Sequence, residues 1–165
     1  VKDISIILEN EHILDLHMGI KKKFYNNIIT QENLINSLKE AKDLFKENYQ
    51  NEKIIHMLVN QYLINKKKYN SFENNLESDH LALEIQFKSI SRNTIHDLNK
   101  ILENYQIKII KYLDGNYVKN FFSKDIELSE MSHRILNGCN DNEVLFIQKN
   151  PKKLAFFEKF FQLFS

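Results

Sequence analysis

The chain has 165 residues, enough for one domain that buries about two thirds of the surface of its unfolded chain. Its composition, 42% hydrophobic and 27% charged, is that of a folded globular protein. The net charge is +1, whereas a protein whose main partner is DNA or RNA normally carries a strong basic excess. We therefore expect no nucleic-acid partner.

The glycines, the cysteine and the apolar runs exclude further classes. The 3 glycines stand far apart, whereas a loop that cradles phosphates needs several close together, so we expect no nucleotide cofactor. The sequence indicates no catalytic pocket, so we also expect no enzyme. The single cysteine, Cys139, excludes an internal disulfide and fits a reducing compartment. No apolar run approaches the roughly 20 residues that span a bilayer, and no signal peptide opens the chain.

The first part of the chain predicts two strands, a helix and a third strand. Residues 4–8 and 13–20 have the strand pattern and are separated by a polar turn. Thr30 is placed to cap a helix that ends near Glu47, because apolar residues recur at helical spacing between them. Residues 54–64 are largely apolar and predict a central strand.

The next part predicts a strand, a helix and another strand after a polar connection over residues 65–79. Residues 81–87 alternate most clearly between apolar and polar. The apolar members, expected to face the core, are Leu81, Leu83, Ile85 and Phe87. A helix that begins near Ser91 or Asn93 follows, and one side of it is apolar. That side carries Ile95, Leu98, Leu102 and Tyr105. Residues 107–112 predict a strand, and residues 114–116 a turn.

This order of elements predicts an α+β fold: a small mixed or antiparallel sheet covered on one face by two helices, with a C-terminal helical extension. We expect the α+β domain to cover residues 1–122. An extension over 123–148 includes a helix at 128–136, for which Gly138 is placed as the C-cap. A linker and an amphipathic C-terminal helix occupy residues 149–165.

The last segment carries the strongest local signal, because its aromatic side chains fall on one side of the predicted helix. At 100° per residue, the apolar residues between positions 156 and 164 lie within an arc of about 160°. Such a helix can lie in the plane of a membrane surface. The residues predicted to bind the membrane are Lys152, Lys153, Phe156, Phe157, Lys159, Phe160, Phe161 and Phe164. The alternative is a helix that docks on the domain's own core or on a partner.

Other groups of chemically active residues predict no site. The 6 histidines are scattered and include no pair at the spacing of a helical zinc site, so we expect no metal. Cys139 follows a helix-ending glycine, and no acid is placed to orient His133 beside it, so we interpret it as a thiol without a catalytic role. The lysine runs at 21–23 and 66–68 are interpreted as loop charges that contact solvent or anionic lipid.

Several segments, taken in chain order, resemble the subdomain inserted in FtsA, the bacterial actin-like protein that tethers the cell-division ring to the membrane. Residues 10–13 (Asn-Glu-His-Ile) and Gly19 stand where that family has a Gly-x-His-Ile motif and a strand entering a conserved glycine. Residues 29–33 (Ile-Thr-Gln-Glu-Asn) look like its Val-Thr-Gln-Glu-Asp helix start. Residues 55–62 (Ile-His-Met-Leu-Val-Asn-Gln-Tyr) are similar to its Leu-His-Val-Ile-Pro-Gln-Glu-Tyr strand. Residues 81–105 match in pattern.

The resemblance implies a non-catalytic divisome adaptor, peripheral on the inner face of the cytoplasmic membrane. Its implied partners are other cell-division proteins, through self-association or the tail of a late division protein. The family also ends in an aromatic-rich membrane-targeting helix, which residues 156–164 resemble. A soluble protein-interaction domain is the alternative function, and a small enzyme is a third.

The chain also departs from the family. Val59 replaces the proline of the matched strand, and residues 71–79 lack the Pro- and Gly-bearing loop. The actin-like core with its Asp-Ile-Gly-Gly-Gly phosphate loop has no counterpart in this sequence, nor has the region that binds the ring protein. The resemblance therefore implies no ATP binding.

Overall fold

The computed structural model describes residues 2–9, 11–122 and 126–145. They form strands and helices in mixed order, which confirms the predicted α+β class. The elements are β1 (Lys2–Leu8), β2 (Ile13–Lys23), β3 (Ile28–Ile29), α1 (Gln31–Asn48), β4 (Glu52–Ile64), β5 (Lys67–Tyr69), β6 (Leu76–Glu77), β7 (His80–Ser91), α2 (Arg92–Glu103), β8 (Ile107–Asp114), α3 (Gly115–Phe121) and α4 (Leu128–Leu136).

Among the described residues, the strands are divided among three sheets, where the sequence predicts one. A four-stranded sheet has the order β2-β7-β4-β5, and β3 pairs with β6 antiparallel. β1 pairs with β8 in parallel, with Lys2 opposite Ile107. The polar turn after β1 therefore connects two sheets and does not close a hairpin. Alternation along a strand identifies its faces but not its partner, so this pairing could not be predicted.

The contacts divide the chain into two compact units, each built from three segments. The first unit lies within Val1–Leu16, Lys46–Met57 and Phe87–Asn140. The second lies within His17–Phe45, Leu58–Gln86 and Asp141–Ser165. The long strands β2, β4 and β7 each contribute residues to both units.

The first unit has a core of side chains from β8, α3, α4 and the ends of β4 and β7. Its fully buried members include Phe87, Ile90, Leu113 and Ile135. α2 packs on β8 and begins where predicted, since the Ser91 hydroxyl accepts the N–H of Asn93. The apolar side of α2 is only partly buried at Ile95, Leu98 and Leu102, and Tyr105, which lies beyond the end of the helix, is 72% exposed. The two-stranded sheet that contains β8 is too narrow to cover a helix face fully.

The second unit has a core formed by one face of α1 and the strands of its sheet. Thr30 and Asn33 form a reciprocal N-terminal cap, because each side chain accepts the other's backbone N–H. The face of α1 predicted to be apolar is buried at Leu34, Leu38, Ala41 and Phe45. In β7, Leu81, Leu83 and Ile85 are each at most 1% exposed. The predicted inner face of this strand is confirmed.

Two helix boundaries follow from local chemistry. Gly138 has φ 77° and its N–H donates to the carbonyl of Ile135, while the N–H of Cys139 donates to Arg134. This is a Schellman ending, and it confirms Gly138 as the C-cap of α4. The turn predicted at 114–116 is wrong, because the Asp114 carboxylate accepts the N–H of Asn116 and starts α3.

The strand content is also greater than predicted. β2 continues through the lysines to Lys23. The side chain of Lys22 lies on the inner face of β2 and forms an ion pair with Glu40 of α1. Because this pairing satisfies the charge of Lys22, the strand can include the lysines. The connection predicted over 65–79 contains β5 and β6. No helix of the described residues is long and apolar enough to cross a bilayer.

Candidate functional site

A buried ion cluster lies in the first unit, between β2, β7 and the start of α3. The ammonium nitrogen of Lys88 lies 2.7 Å from Oδ2 of Asp15 and 2.8 Å from Oδ2 of Asp114. The side chains of Lys88 and Asp114 are 10% and 3% exposed, whereas that of Asp15 is 42% exposed. The ammonium group of Lys88 therefore forms ion pairs with the buried carboxylate of Asp114 and the partly exposed carboxylate of Asp15.

The protonation of Lys88 decides what this cluster can do. Burial by itself lowers the pKa of Lys88, but the hydrogen bonds and charges of Asp114 and Asp15 outweigh burial and raise it. An amine acts as a nucleophile only when it is deprotonated. Lys88 thus acts as a charged link between three elements, and its chemistry does not favour covalent catalysis.

His56 joins the same cluster through its ring. Its Nε2 accepts the backbone N–H of Asp114 at 3.0 Å, which assigns the ring proton to Nδ1. The ring also packs edge-on against Tyr117, with centroids 4.7 Å apart. His56 is 3% exposed, so both contacts are internal to the unit. This histidine positions the start of α3 and is not available to a metal through Nε2.

A pocket of about 600 Å³ lies in the second unit, where β2, β4 and β7 are neighbours in the sheet. Lys21 and Ala82 line it from positions next to the buried residues Ile20 and Leu81. Because side chains alternate along a strand, the pocket lies on the polar face of the sheet. The remaining lining residues are Leu63, Asn65, Lys66, Asp79 and His80.

A tight turn forms one wall of this pocket. Asn65 and Lys66 connect β4 to β5 with φ 52° and 64°, the positive values of a two-residue hairpin turn. The amide of Asn65 donates to the carbonyl of Glu77 at 3.0 Å and accepts the hydroxyl of Ser78 at 2.7 Å. Ser78 Oγ also accepts the N–H of His80. These bonds hold the turn against the segment that enters β7.

Asp79 and His80 form a hydrogen-bonded pair that also lines the pocket. Nδ1 of His80 lies 2.6 Å from Oδ1 of Asp79, and both side chains are partly exposed. The hydrogen bond from His80 is the main reason that the pKa of Asp79 is lowered, with a smaller contribution from the charge of Lys23. The carbonyl of Asp79 accepts the N–H of Phe24 at 2.7 Å, which fixes this segment beside the end of β2.

β2 ends the four-stranded sheet, so one side of its backbone has no strand partner among the described residues. Within the second unit, the exposed residues of β2 are His17, Gly19, Lys21 and Lys23. A side chain added at Gly19 would meet no atom within 4 Å. The glycine is therefore not required by packing within the chain, and the face of the sheet is open at this position.

The structure places few of the residues that the sequence predicts as sites. The predicted membrane-binding residues Lys152, Lys153, Phe156, Phe157, Lys159, Phe160, Phe161 and Phe164 lie outside the described residues. Cys139 is exposed, and the ring of His133 is hydrogen-bonded to Asn137. Within 2–9, 11–122 and 126–145, no group of three or more His, Cys, Asp and Glu side chains is arranged to hold a metal.

Sequence reasoning missed both polar clusters. The residues Phe87, Lys88, Ser89 and Ile90 are all buried, and the sequence gives no local signal for the burial of Lys88. The pocket had a weak signal in the two lysine runs, which were treated separately although the fold brings Lys21 and Lys66 to one site. No protein-family model and no curated protein matches this chain.

Proposed function

We propose that the chain is a non-catalytic adaptor of bacterial cell division, related to the inserted subdomain of FtsA. In this proposal it binds protein partners through an exposed sheet edge. Its C-terminal amphipathic helix tethers it to the inner face of the cytoplasmic membrane.

The observation that carries the proposal is the position of the matched segments in the fold. Residues 29–33 contain the reciprocal cap that starts α1. Residues 55–62 lie in β4, and residues 81–105 cover β7 and α2. A family motif is informative only when its structural context is the expected one, and here each segment lies in the kind of element expected for it.

Two residues of the matched strand have structural roles that explain their side chains. His56 accepts the N–H of Asp114. Tyr62 is 1% exposed, and its hydroxyl lies 3.4 Å from the amide oxygen of Asn142. Both residues join β4 to segments far along the chain. The likeness therefore includes residues that hold the fold together, which supports a relationship more strongly than surface residues do.

The edge of β2 supports the protein-binding part of the proposal. Strand addition to an open edge needs backbone groups without a strand partner. Among the described residues, the outer side of β2 has no strand beside it. For a second copy as the partner, Gly19→Lys should reduce self-association in sedimentation velocity, because a lysine on an edge strand opposes its pairing with another chain, and it should leave the melting temperature unchanged, because a side chain at this position has space. The matched control is Glu84→Lys on the inner strand β7, which should self-associate as the native chain does. Equal behaviour of the two variants would contradict strand addition at this edge.

The tail is tested by flotation with vesicles that contain phosphatidylglycerol. We expect one short helix to bind a membrane about as weakly as a single myristoyl chain, whose association constant is on the order of 10⁴ M⁻¹, so the assay uses millimolar lipid. Phe157→Glu with Phe161→Glu should abolish flotation without changing the melting temperature, because the charges enter the acyl boundary only in the bound state. Truncation before Pro151 should have the same effect.

A matched control separates the aromatic face from the added charge. Gln162→Glu with Ser165→Glu adds the same charge to the polar side of the helix and should weaken flotation only in part. If the tail instead docks on the domain's own core, the Phe157 and Phe161 variant should melt at a much lower temperature. That result would contradict the membrane proposal and favour the alternative, a soluble protein-interaction domain.

A further inference from the structure

The pocket of the second unit carries more positive than negative charge. Among the described residues, neither Lys21 nor Lys66 has a carboxylate partner, whereas Lys22 beside them is paired with Glu40. The carboxylate in the pocket wall, Asp79, is already hydrogen-bonded to His80. Two ammonium groups thus surround a cavity of about 600 Å³ without a counter-charge of their own.

His80 can supply a third donor to the pocket when its ring is protonated. Its Nδ1 is engaged by Asp79, so the ring presents Nε2 as its remaining polar atom. An imidazolium donates from both nitrogens, to a carboxylate on one side and to a bound anion on the other. Hydrogen bonds between charged groups are the strongest of those available to a small anion.

The walls of the pocket are held in place before any ligand binds. Lys66 has φ 64°, the conformation that the second residue of a two-residue hairpin turn adopts and that favours glycine. A lysine at this position places an ammonium group in the wall at a cost in backbone strain. The hydrogen bonds of Asn65 with Glu77 and Ser78 fix the turn relative to His80.

We propose that this pocket binds a phosphate group, with the ammonium groups of Lys21 and Lys66 and the protonated ring of His80 as its donors. The phosphate belongs either to the headgroup of an anionic phospholipid or to a soluble phosphate ester. The lipid source rests on the membrane attachment proposed above. The soluble source does not, and neither source involves a residue of the tail.

The first arm of the test uses inorganic phosphate and the full chain. Titration monitored by amide NMR should give saturable shifts at Asn65, Lys66 and His80 that sodium chloride of equal ionic strength does not reproduce. Lys21→Gln with Lys66→Gln should weaken phosphate binding about tenfold, because two charge-assisted hydrogen bonds are lost. The control Lys39→Gln with Lys46→Gln removes two exposed lysines from α1 and should bind phosphate as the native chain does.

The second arm uses vesicles of phosphatidylglycerol, with phosphatidylcholine vesicles as the neutral comparison. Weaker flotation of the pocket variant than of the Lys39 and Lys46 control identifies a lipid headgroup. A loss of phosphate binding with unchanged flotation identifies a soluble phosphate ester. If the pocket variant and the control behave alike in both arms, the site is refuted. Failure of the tail proposal is separate, because it would appear as unchanged flotation of the Phe157 and Phe161 variant, whereas the phosphate-induced shifts involve no residue of the tail.

Discussion

The ion cluster around Lys88 makes a quantitative prediction about folding. Lys88→Met removes the ammonium group and leaves a methylene chain of similar length in its place. Asp114, whose side chain is 3% exposed, then keeps its charge with no cation beside it. Asp15 is 42% exposed, so its charge remains solvated and its share of the loss is small. The size of the effect therefore depends mainly on Asp114.

The magnitude follows from these two environments. Removal of one partner from a buried ion pair costs about 3–5 kcal/mol, and loss of an exposed pair costs about 1 kcal/mol or less. Asp114 keeps the hydrogen bond from the N–H of Asn116, which offsets part of the cost. We expect Lys88→Met to lower the free energy of unfolding by about 3 kcal/mol. The measurement is a urea titration, from the midpoint and an unchanged slope.

A second substitution tests the reason for the loss. Asp114→Asn keeps an oxygen that caps α3 but removes the buried charge. In the Lys88→Met background it should therefore restore stability, by about 1–2 kcal/mol, since no unpaired charge then remains. Lys119→Met, which breaks the exposed ion pair with Glu9, should cost less than about 1 kcal/mol. A loss below about 1 kcal/mol for Lys88→Met, or a further loss on adding Asp114→Asn, would refute the reasoning.

Two other predictions concern the second unit. Leu83 is 1% exposed, so Leu83→Ala should lower the free energy of unfolding by about 2–5 kcal/mol in the same urea titration. The control Glu84→Ala lies on the exposed face of β7 and should change the free energy of unfolding by no more than about 0.5 kcal/mol. Burial raises the pKa of Tyr62 from 10.0 to about 12. The folded chain therefore keeps the neutral hydroxyl at a pH where the unfolded chain ionises it. The free energy of unfolding should fall by about 3 kcal/mol as the pH rises from 10 to about 12. Tyr62→Phe should remove this part of the alkaline loss. A native chain and a Tyr62→Phe variant with parallel stability profiles between pH 10 and about 12 would contradict the assignment.

Local signals predicted the parts of the fold that depend on neighbours in sequence. Thr30 caps α1 and Gly138 ends α4 through bonds that span at most a few residues. The inner face of β7 followed from alternation at Leu81 and Leu83, because a strand buried on one face has a period of two. Each of these features depends only on residues that lie close together in the sequence.

Features that depend on distant residues could not be predicted. The burial of Lys88 requires Asp15 and Asp114, which approach it only after β2, β7 and β8 are assembled. The hairpin turn at Asn65 and Lys66 was not predicted for a different reason. The usual sequence of such a turn is asparagine followed by glycine, and here lysine occupies the second position. The candidate phosphate pocket was missed with it, since that turn forms one of its walls.

The parallel pairing of β1 with β8 has a consequence for the order in which the chain can fold. Lys2 pairs with Ile107, so β1 waits for about a hundred further residues before its partner exists. At ribosomal speeds of roughly 5–20 residues per second, that wait lasts on the order of 5–20 seconds. During this time the backbone N–H and C=O groups of β1 lack their partner strand and can pair with another chain. A chaperone that binds β1 during synthesis would prevent this pairing.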